Sequence, residues 1–170
     1  MLFHSPLGWI GKSSMFVNPV WGSALFLCEI LLSLEIEPDA PCTRDGCGSC
    51  RRCVDACPNS CIDPEKRTIR ADRCAAYLTI EHKGEFTPEQ IKQVGNHLFG
   101  CDECLRVCPW NRHNSGTSPL PTAVVLPDFS DEFLTESEFK QKYQNSPVLR
   151  TKAKGLRRNI AAVRENRNGV

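Results

Sequence analysis

Cys47, Cys50, Cys53 and Cys57, spaced C-x2-C-x2-C-x3-C and followed by Pro58, constrain this chain more than any other feature. A loop of this spacing folds three thiolates around three corners of one iron-sulfur cube, and the fourth corner needs a remote donor. The fourth cysteine lies past the turn, at the expected start of a helix, and points toward a neighbouring cube. Proline after it is tolerated because an early helical position needs no N–H donor. A second run, Cys101, Cys104 and Cys108 followed by Pro109, repeats the pattern without its first member, and Cys74 is placed to supply it. Eight of the eleven cysteines are thereby used, the number two 4Fe-4S clusters require. The crossed logic predicts that Cys47, Cys50, Cys53 and Cys108 hold one cluster, and that Cys57, Cys74, Cys101 and Cys104 hold the other.

Other uses of the cysteines fit less well. Zinc sites usually come as two separated pairs. Disulfides need an oxidising compartment, and the first eleven residues contain no apolar run flanked by basic residues, as a signal peptide would. The C-x4-C-x2-C spacing of Cys42, Cys47 and Cys50 matches a plant-type 2Fe-2S site but strands Cys53, Cys57 and the whole second run. Of the three spare cysteines, Cys28 and Cys61 are expected to be small buried hydrophobes and Cys42 a solvent-facing thiol.

At 170 residues there is room for about one domain with appendages, and the cluster region, roughly Pro41 to Asn111, fills less than half of it. Residues 24–36 are apolar but interrupted by Glu29, Ser33 and Glu35, too short a run to span a bilayer. A soluble chain in a reducing compartment is expected. Net charge is +1, yet the end is basic: Arg150 to Arg167 holds seven Lys or Arg and one acid, Glu165.

Local signals predict a strand at Met15 to Asn18 and a strand or helix over Ser23 to Glu35. Thr87, Pro88 and Gln90 start a helix that Gly95 or Gly100 ends. Residues 112–127 read as a surface linker. Ser130 to Tyr143 reads as a helix with Phe133, Phe139 and Tyr143 on one side. Ser146-Pro147 is expected to cap a last helix carrying Val148, Leu149, Leu156, Ile160, Ala161 and Val163.

Several segments together carry a family resemblance. They are Leu7-Gly-Trp-Ile-Gly-Lys12, the Phe26 to Pro38 stretch ending in Glu-Pro-Asp, and the eight cysteines with Pro58 and Pro109. To these are added Tyr77-Leu-Thr-Ile-Glu-His-Lys-Gly84 after Cys74, Gly95-Asn-His-Leu-Phe-Gly-Cys101, Cys108-Pro-Trp-Asn111 and Leu156-Arg-Arg-Asn-Ile-Ala161. The chain resembles the epoxyqueuosine reductases, cobalamin- and iron-sulfur-dependent enzymes of tRNA queuosine biosynthesis.

The resemblance implies an α+β fold with four parts: the C-terminal part of an α/β cobalamin-binding domain (1–40), a ferredoxin-like two-cluster core (41–115), a linker (116–129) and the first HEAT-like helices (130–170). It implies reduction of epoxyqueuosine to queuosine at the tRNA wobble base, with electrons passed through the clusters to cobalamin. Gly8, Gly11, Lys12 and Glu81 are the implied cobalamin contacts. Arg150, Lys152, Lys154, Arg157 and Arg158 are the implied tRNA contacts.

The family's proton-donating aspartate precedes the Gly-Trp-Ile-Gly-Lys loop and has no counterpart here, so no catalytic residue is assigned. A cytoplasmic monomer with tRNA and a separate electron donor as partners, and no membrane, is expected. Plainer readings stand beside these. Gly8 and Gly11 can simply permit a turn, Lys12 and Glu81 can be solvated loop charges, and the basic end can be a solvated helix face. Trp110 and Asn111 are expected to pack and cap behind the cluster. The alternatives for the whole chain are a stand-alone 4Fe-4S electron carrier and a relative of the cobalamin-dependent reductive dehalogenases.

Overall fold

A computed structural model describes residues 7–40, 44–112 and 125–169. In chain order they form β1 (Trp9–Ile10), β2 (Phe16–Val17), α1 (Arg52–Asp55), β3 (Ile62–Asp63), β4 (Thr68–Ile69), α2 (Ala75–Ile80), α3 (Pro88–Val94), α4 (Glu103–Arg106), α5 (Glu136–Lys142) and α6 (Lys152–Asn168), with short 3-10 turns between. Helices beside two small antiparallel ladders, β1 with β2 and β3 with β4, make the fold α+β. The chain divides into two compact units, Met1–Ile69 with Glu103–Thr117, and Arg70–Asp102 with Ser118–Val170.

In the first unit the β1–β2 hairpin pairs Trp9 with Val17 and Ile10 with Phe16, bearing out the strand expected near residue 16. Gly8 is required there by close approach: a Cβ would lie 2.1 Å from the Val17 carbonyl oxygen. Residues 24–40, by contrast, form neither the strand nor the helix expected over Ser23 to Glu35. Phe26 and Leu31 are 96% and 95% exposed. A strand needs a hydrogen-bonded neighbour and a helix needs an apolar stripe to bury. The irregular apolar run supplies no stripe, and among the described residues it has no ladder partner. Cys28 is exposed with it, correcting its reading as a buried hydrophobe, whereas Cys61 is buried as expected. Cys42 and most of the expected linker lie outside the described residues.

The second unit is built on α6. Its Ala153, Leu156, Asn159, Ile160, Ala162 and Val163 are buried, and they join two clusters: Phe139, Tyr143 and Val148 around Leu156 and Ile160, and Leu78 and Val94 around Ala162 and Val163. Helix α3 starts as its sequence demands. Thr87 accepts from the Gln90 N–H, Gln90 returns a bond to the Thr87 N–H, Pro88 takes the first turn, and Gly95 ends the helix at φ +58°.

The segment from Ser130 to Tyr143 is not one helix. A 3-10 turn over Phe129–Phe133 ends at Leu134, and Thr135 caps α5 afresh; Phe139 and Tyr143 are buried while Phe133 is 80% exposed. Ser146 likewise caps a 3-10 turn, Pro147–Thr151, before α6 begins. On α6 it is Ala162, not Ala161, that faces the core. No helix among the described residues is long and apolar enough to cross a membrane.

Candidate functional site

Three of the cysteines in the first run and one from the second border the same space. A cavity of about 230 Å³ is lined by Cys47, Cys50, Cys53 and Cys108, together with Gly11 and Trp110. Local folding explains the convergence. The Cys47–Cys50 loop turns on a backbone bond from the Cys50 N–H to the Cys47 carbonyl of 2.9 Å. Helix α1 then carries Cys53. Cys108 lies past the end of α4 and begins the 3-10 turn Pro109–Asn111, with proline at its first position. Cys57 also lies past its helix, α1, but it enters a turn at Pro58 rather than a new helix.

The cavity wall is held from several sides. Asp45 accepts a 3.0 Å bond from the Cys47 N–H and a 2.7 Å bond from Arg67, and Arg67 also donates to the Ile10 carbonyl. Lys12 Nζ donates to the carbonyls of Gly48 (2.6 Å) and Cys50 (3.2 Å). Trp110 Nε1 donates to the Gly46 carbonyl at 3.1 Å, and the Trp110 ring meets Trp9 edge-on at 5.1 Å. Gly46 must be glycine, since a Cβ would lie 2.2 Å from the Trp9 ring. Asn111 donates to the Leu105 carbonyl (2.7 Å) and accepts from the Ser23 N–H (2.6 Å). Trp110 and Asn111 thus pack and cap as expected of them.

Burial pushes the Cys53 thiol above its ordinary range, and the neighbouring Cys47 and Cys108 sulfurs push it further. Sulfurs that disfavour one another's ionisation are relieved by a shared cationic group, whose binding releases their protons. Among the described residues no three His, Cys, Asp or Glu side chains converge as a single ion would require. Four thiols spread around a cavity suit a group several atoms across, whereas zinc draws its sulfurs to about 2.3 Å from one atom.

Cys57, in the same unit, differs. Burial opposes its ionisation, but the N–H groups of Cys61, Asn59 and Ser60 outweigh it and pull the thiol below its ordinary range. Cys61 Sγ lies 3.4 Å from Cys57 Sγ, a neighbour that spacing could not reveal. Cys104 lies in α4 of this unit. Cys74 and Cys101 belong to the other unit, where Cys74 stands at the N-cap of α2. The Thr79 hydroxyl donates to the Ala75 carbonyl (2.7 Å) and accepts from the Gly100 N–H (3.0 Å), so one buried side chain ties the residue before Cys101 to the helix after Cys74.

Several residues read as cofactor or nucleic-acid contacts have defined partners. Glu81 pairs with Arg150 at 2.5 Å. Arg157 donates to the Glu132 and Leu134 carbonyls. Arg158 donates to the carbonyls of Leu78, His82 and Gly84 (3.1, 2.9 and 2.9 Å) and lies 4.0 Å over the Phe86 ring. Lys152 and Lys154 are exposed and, with Lys83, Thr151 and Arg158, line a cavity of about 240 Å³.

Residues 46–111 match a 4Fe-4S double cluster binding domain. An epoxyqueuosine reductase of Leadbetterella byssophila is 41% identical over 165 residues, 94% of this chain and 53% of the relative. That of Escherichia coli is 35% identical over 165 residues, covering 94% and 43%. Among solved structures, epoxyqueuosine reductase from Streptococcus thermophilus superposes with a TM-score of 0.78 at 34% identity. An epoxyqueuosine reductase crystallised with an epoxyqueuosine-modified tRNA-Tyr stem loop superposes with a TM-score of 0.80 at 31% identity. Each of these two matches covers 94% of this chain and 43% of the other. The chain spans about half the length of the curated relatives it matches.

Proposed function

We propose that this chain, which is 41% identical to an epoxyqueuosine reductase and spans about half of that relative's length, belongs to that family and carries the electron-transfer centre of such an enzyme. Cys47, Cys50, Cys53 and Cys108 would hold one 4Fe-4S cluster, and Cys57, Cys74, Cys101 and Cys104 the other. The observation that carries this reading is the cavity that brings Cys108 to the Cys47, Cys50 and Cys53 thiols, the grouping expected from the crossed spacing. Bound clusters supply one-electron storage. The chain's own part is to present thiolates, to hold the Cys47–Cys50 loop through Asp45, Lys12 and Gly46, and to shield the cavity with Trp110.

The finer assignments belong to the same reading. Residues 41–115 serve as the ferredoxin-like core, 1–40 as part of a cobalamin-binding domain, 116–129 as a linker and 130–170 as HEAT-like helices. Cobalamin contacts fall at the Gly8–Lys12 loop and at Glu81. A tRNA carrying epoxyqueuosine is the substrate and a separate protein the electron donor, with the enzyme a cytoplasmic monomer. Of the basic residues, Lys152 and Lys154 are exposed and have no ion-pair partner among the described residues, leaving them to meet phosphate, while Arg157 and Arg158 already serve carbonyls.

Anaerobically reconstituted chain, reduced and freed of excess reductant, is expected to reduce added cobalamin, seen in visible absorbance, faster than a Cys53→Ser variant does. Equal rates would refute electron delivery by these thiolates.

A further inference from the structure

Lys12 stands in a segment distant in sequence from the eight cluster cysteines, yet its ammonium donates to the Gly48 carbonyl at 2.6 Å and the Cys50 carbonyl at 3.2 Å. Both carbonyls belong to the loop that presents Cys47 and Cys50, and Lys12 lines the same cavity as the four thiols. Its neighbour Gly11 lies beside that loop, since a Cβ there would be in ordinary contact with Cys47 Sγ at 3.5 Å, and it is packed more tightly on the hairpin, 3.0 Å from Val17 Cγ2. The short β1–β2 hairpin holds this approach through the Gly11 N–H, which donates to the Met15 carbonyl at 2.8 Å. Within the unit the nearby carboxylate, Asp45, is already matched by Arg67 at 2.7 Å. Asp45 also feels the Lys12 charge, but among the described residues no carboxylate lies within ion-pair distance of the Lys12 ammonium.

We propose that Lys12 is a positioning residue for the cluster held by Cys47, Cys50, Cys53 and Cys108: it clasps the thiolate loop and its positive charge raises that cluster's reduction potential. The inference rests on the cluster reading above. A reduced cluster carries one more negative charge than an oxidised one, so a cation on the cavity wall favours reduction, and net charge around the cluster is among the determinants of potential. At an effective dielectric of about 40, between protein surface and water, one unit charge about 6 Å away biases a one-electron equilibrium by roughly tenfold. Only one of the two clusters should feel it, because Lys12 touches the loop of one.

The test is an EPR-monitored redox titration of the reconstituted chain with Lys12→Met and Lys12→Arg, alongside iron and acid-labile sulfide analysis. Lys12→Met is expected to lower the reduced-to-oxidised ratio of one cluster about tenfold at fixed ambient potential, a shift of about 59 mV, and to leave the other cluster unmoved. Lys12→Arg should restore most of it. Loss of half the iron in Lys12→Met, retained in Lys12→Arg, also supports the clasp. A fully loaded Lys12→Met with both potentials unchanged overturns the proposal, as does a Lys12→Arg chain no better than Lys12→Met. If the parent chain itself takes up zinc or only one cluster, the cluster reading fails instead.

Discussion

Asn159 offers the most direct energetic test of how the second unit is held. It is fully buried, and its Nδ2 donates to the Thr79 carbonyl at 2.8 Å and the Leu98 carbonyl at 2.9 Å, while its Oδ1 accepts from Arg158 at 3.0 Å. One side chain of α6 thus answers two backbone acceptors on separate segments. Asn159→Ala leaves both without this donor, the Thr79 carbonyl in a buried site and the Leu98 carbonyl in a part-buried one. Each buried, unanswered group costs about 1–3 kcal/mol, so the substitution should cost about 3 kcal/mol, allowing for some relaxation. For a chain of this size that lowers the melting temperature by roughly 6–12 °C. Thermal unfolding followed by circular dichroism would read it, with Asn168→Ala at the exposed end of the same helix as a control expected within about 0.5 kcal/mol of the parent. Because Thr79 also secures the Gly100 N–H beside Cys101, Asn159→Ala should lose iron to a chelator faster than the parent. A melting temperature within about 2 °C of the parent would refute the reasoning.

Two further outcomes follow from the same contacts. For tRNA carrying epoxyqueuosine, Lys152→Gln with Lys154→Gln should flatten the dependence of log affinity on log salt by up to about two units, whereas Arg158→Gln should lower stability with little change of slope; an unchanged slope in the double variant would return the basic end to a solvated face. At the start of α5, hydrogen bonds from the Thr135 hydroxyl (2.7 Å) and N–H (2.8 Å) hold the Glu138 carboxyl below its usual range. Its folded pKa being depressed, the stability it adds is present above about pH 4.3 and is lost as pH falls through the folded value. An NMR titration of Glu138 with an ordinary glutamate midpoint would contradict this.

What the sequence disclosed was mostly what is decided locally. The Thr87 capping box, the glycine at the end of α3 and the proline after Cys108 follow from neighbours within a few residues, and each stands where it was read. The cysteine spacing carried further, because a cube imposes its own geometry on a loop. Residues 24–36 could not be read, since whether an apolar run becomes strand or helix depends on what it packs against. Arg158 was read as a surface charge because charge is normally solvated; three carbonyls and a Phe86 face recruit it instead, an arrangement only folding reveals. Lys12 was read as a loop charge or cofactor contact for the same reason. Its partners, Gly48 and Cys50, offer backbone oxygens that leave no trace in residue identity. The split between the 3-10 turn at 129–133 and α5 was, however, legible in principle: Thr135 with Glu138 is a second capping box in the middle of the presumed helix.

The crossed sharing of thiolates between two clusters is tested most directly by comparing EPR spectra and iron content of three reconstituted single variants, Cys50→Ser, Cys108→Ser and Cys104→Ser. The parent should hold close to eight irons and eight sulfides per chain. Cys50→Ser and Cys108→Ser should lose or alter the same cluster and leave the same residual spectrum, and Cys104→Ser should leave the complementary one. A Cys108→Ser spectrum matching Cys104→Ser, or a parent that takes up zinc in place of iron, would contradict the account.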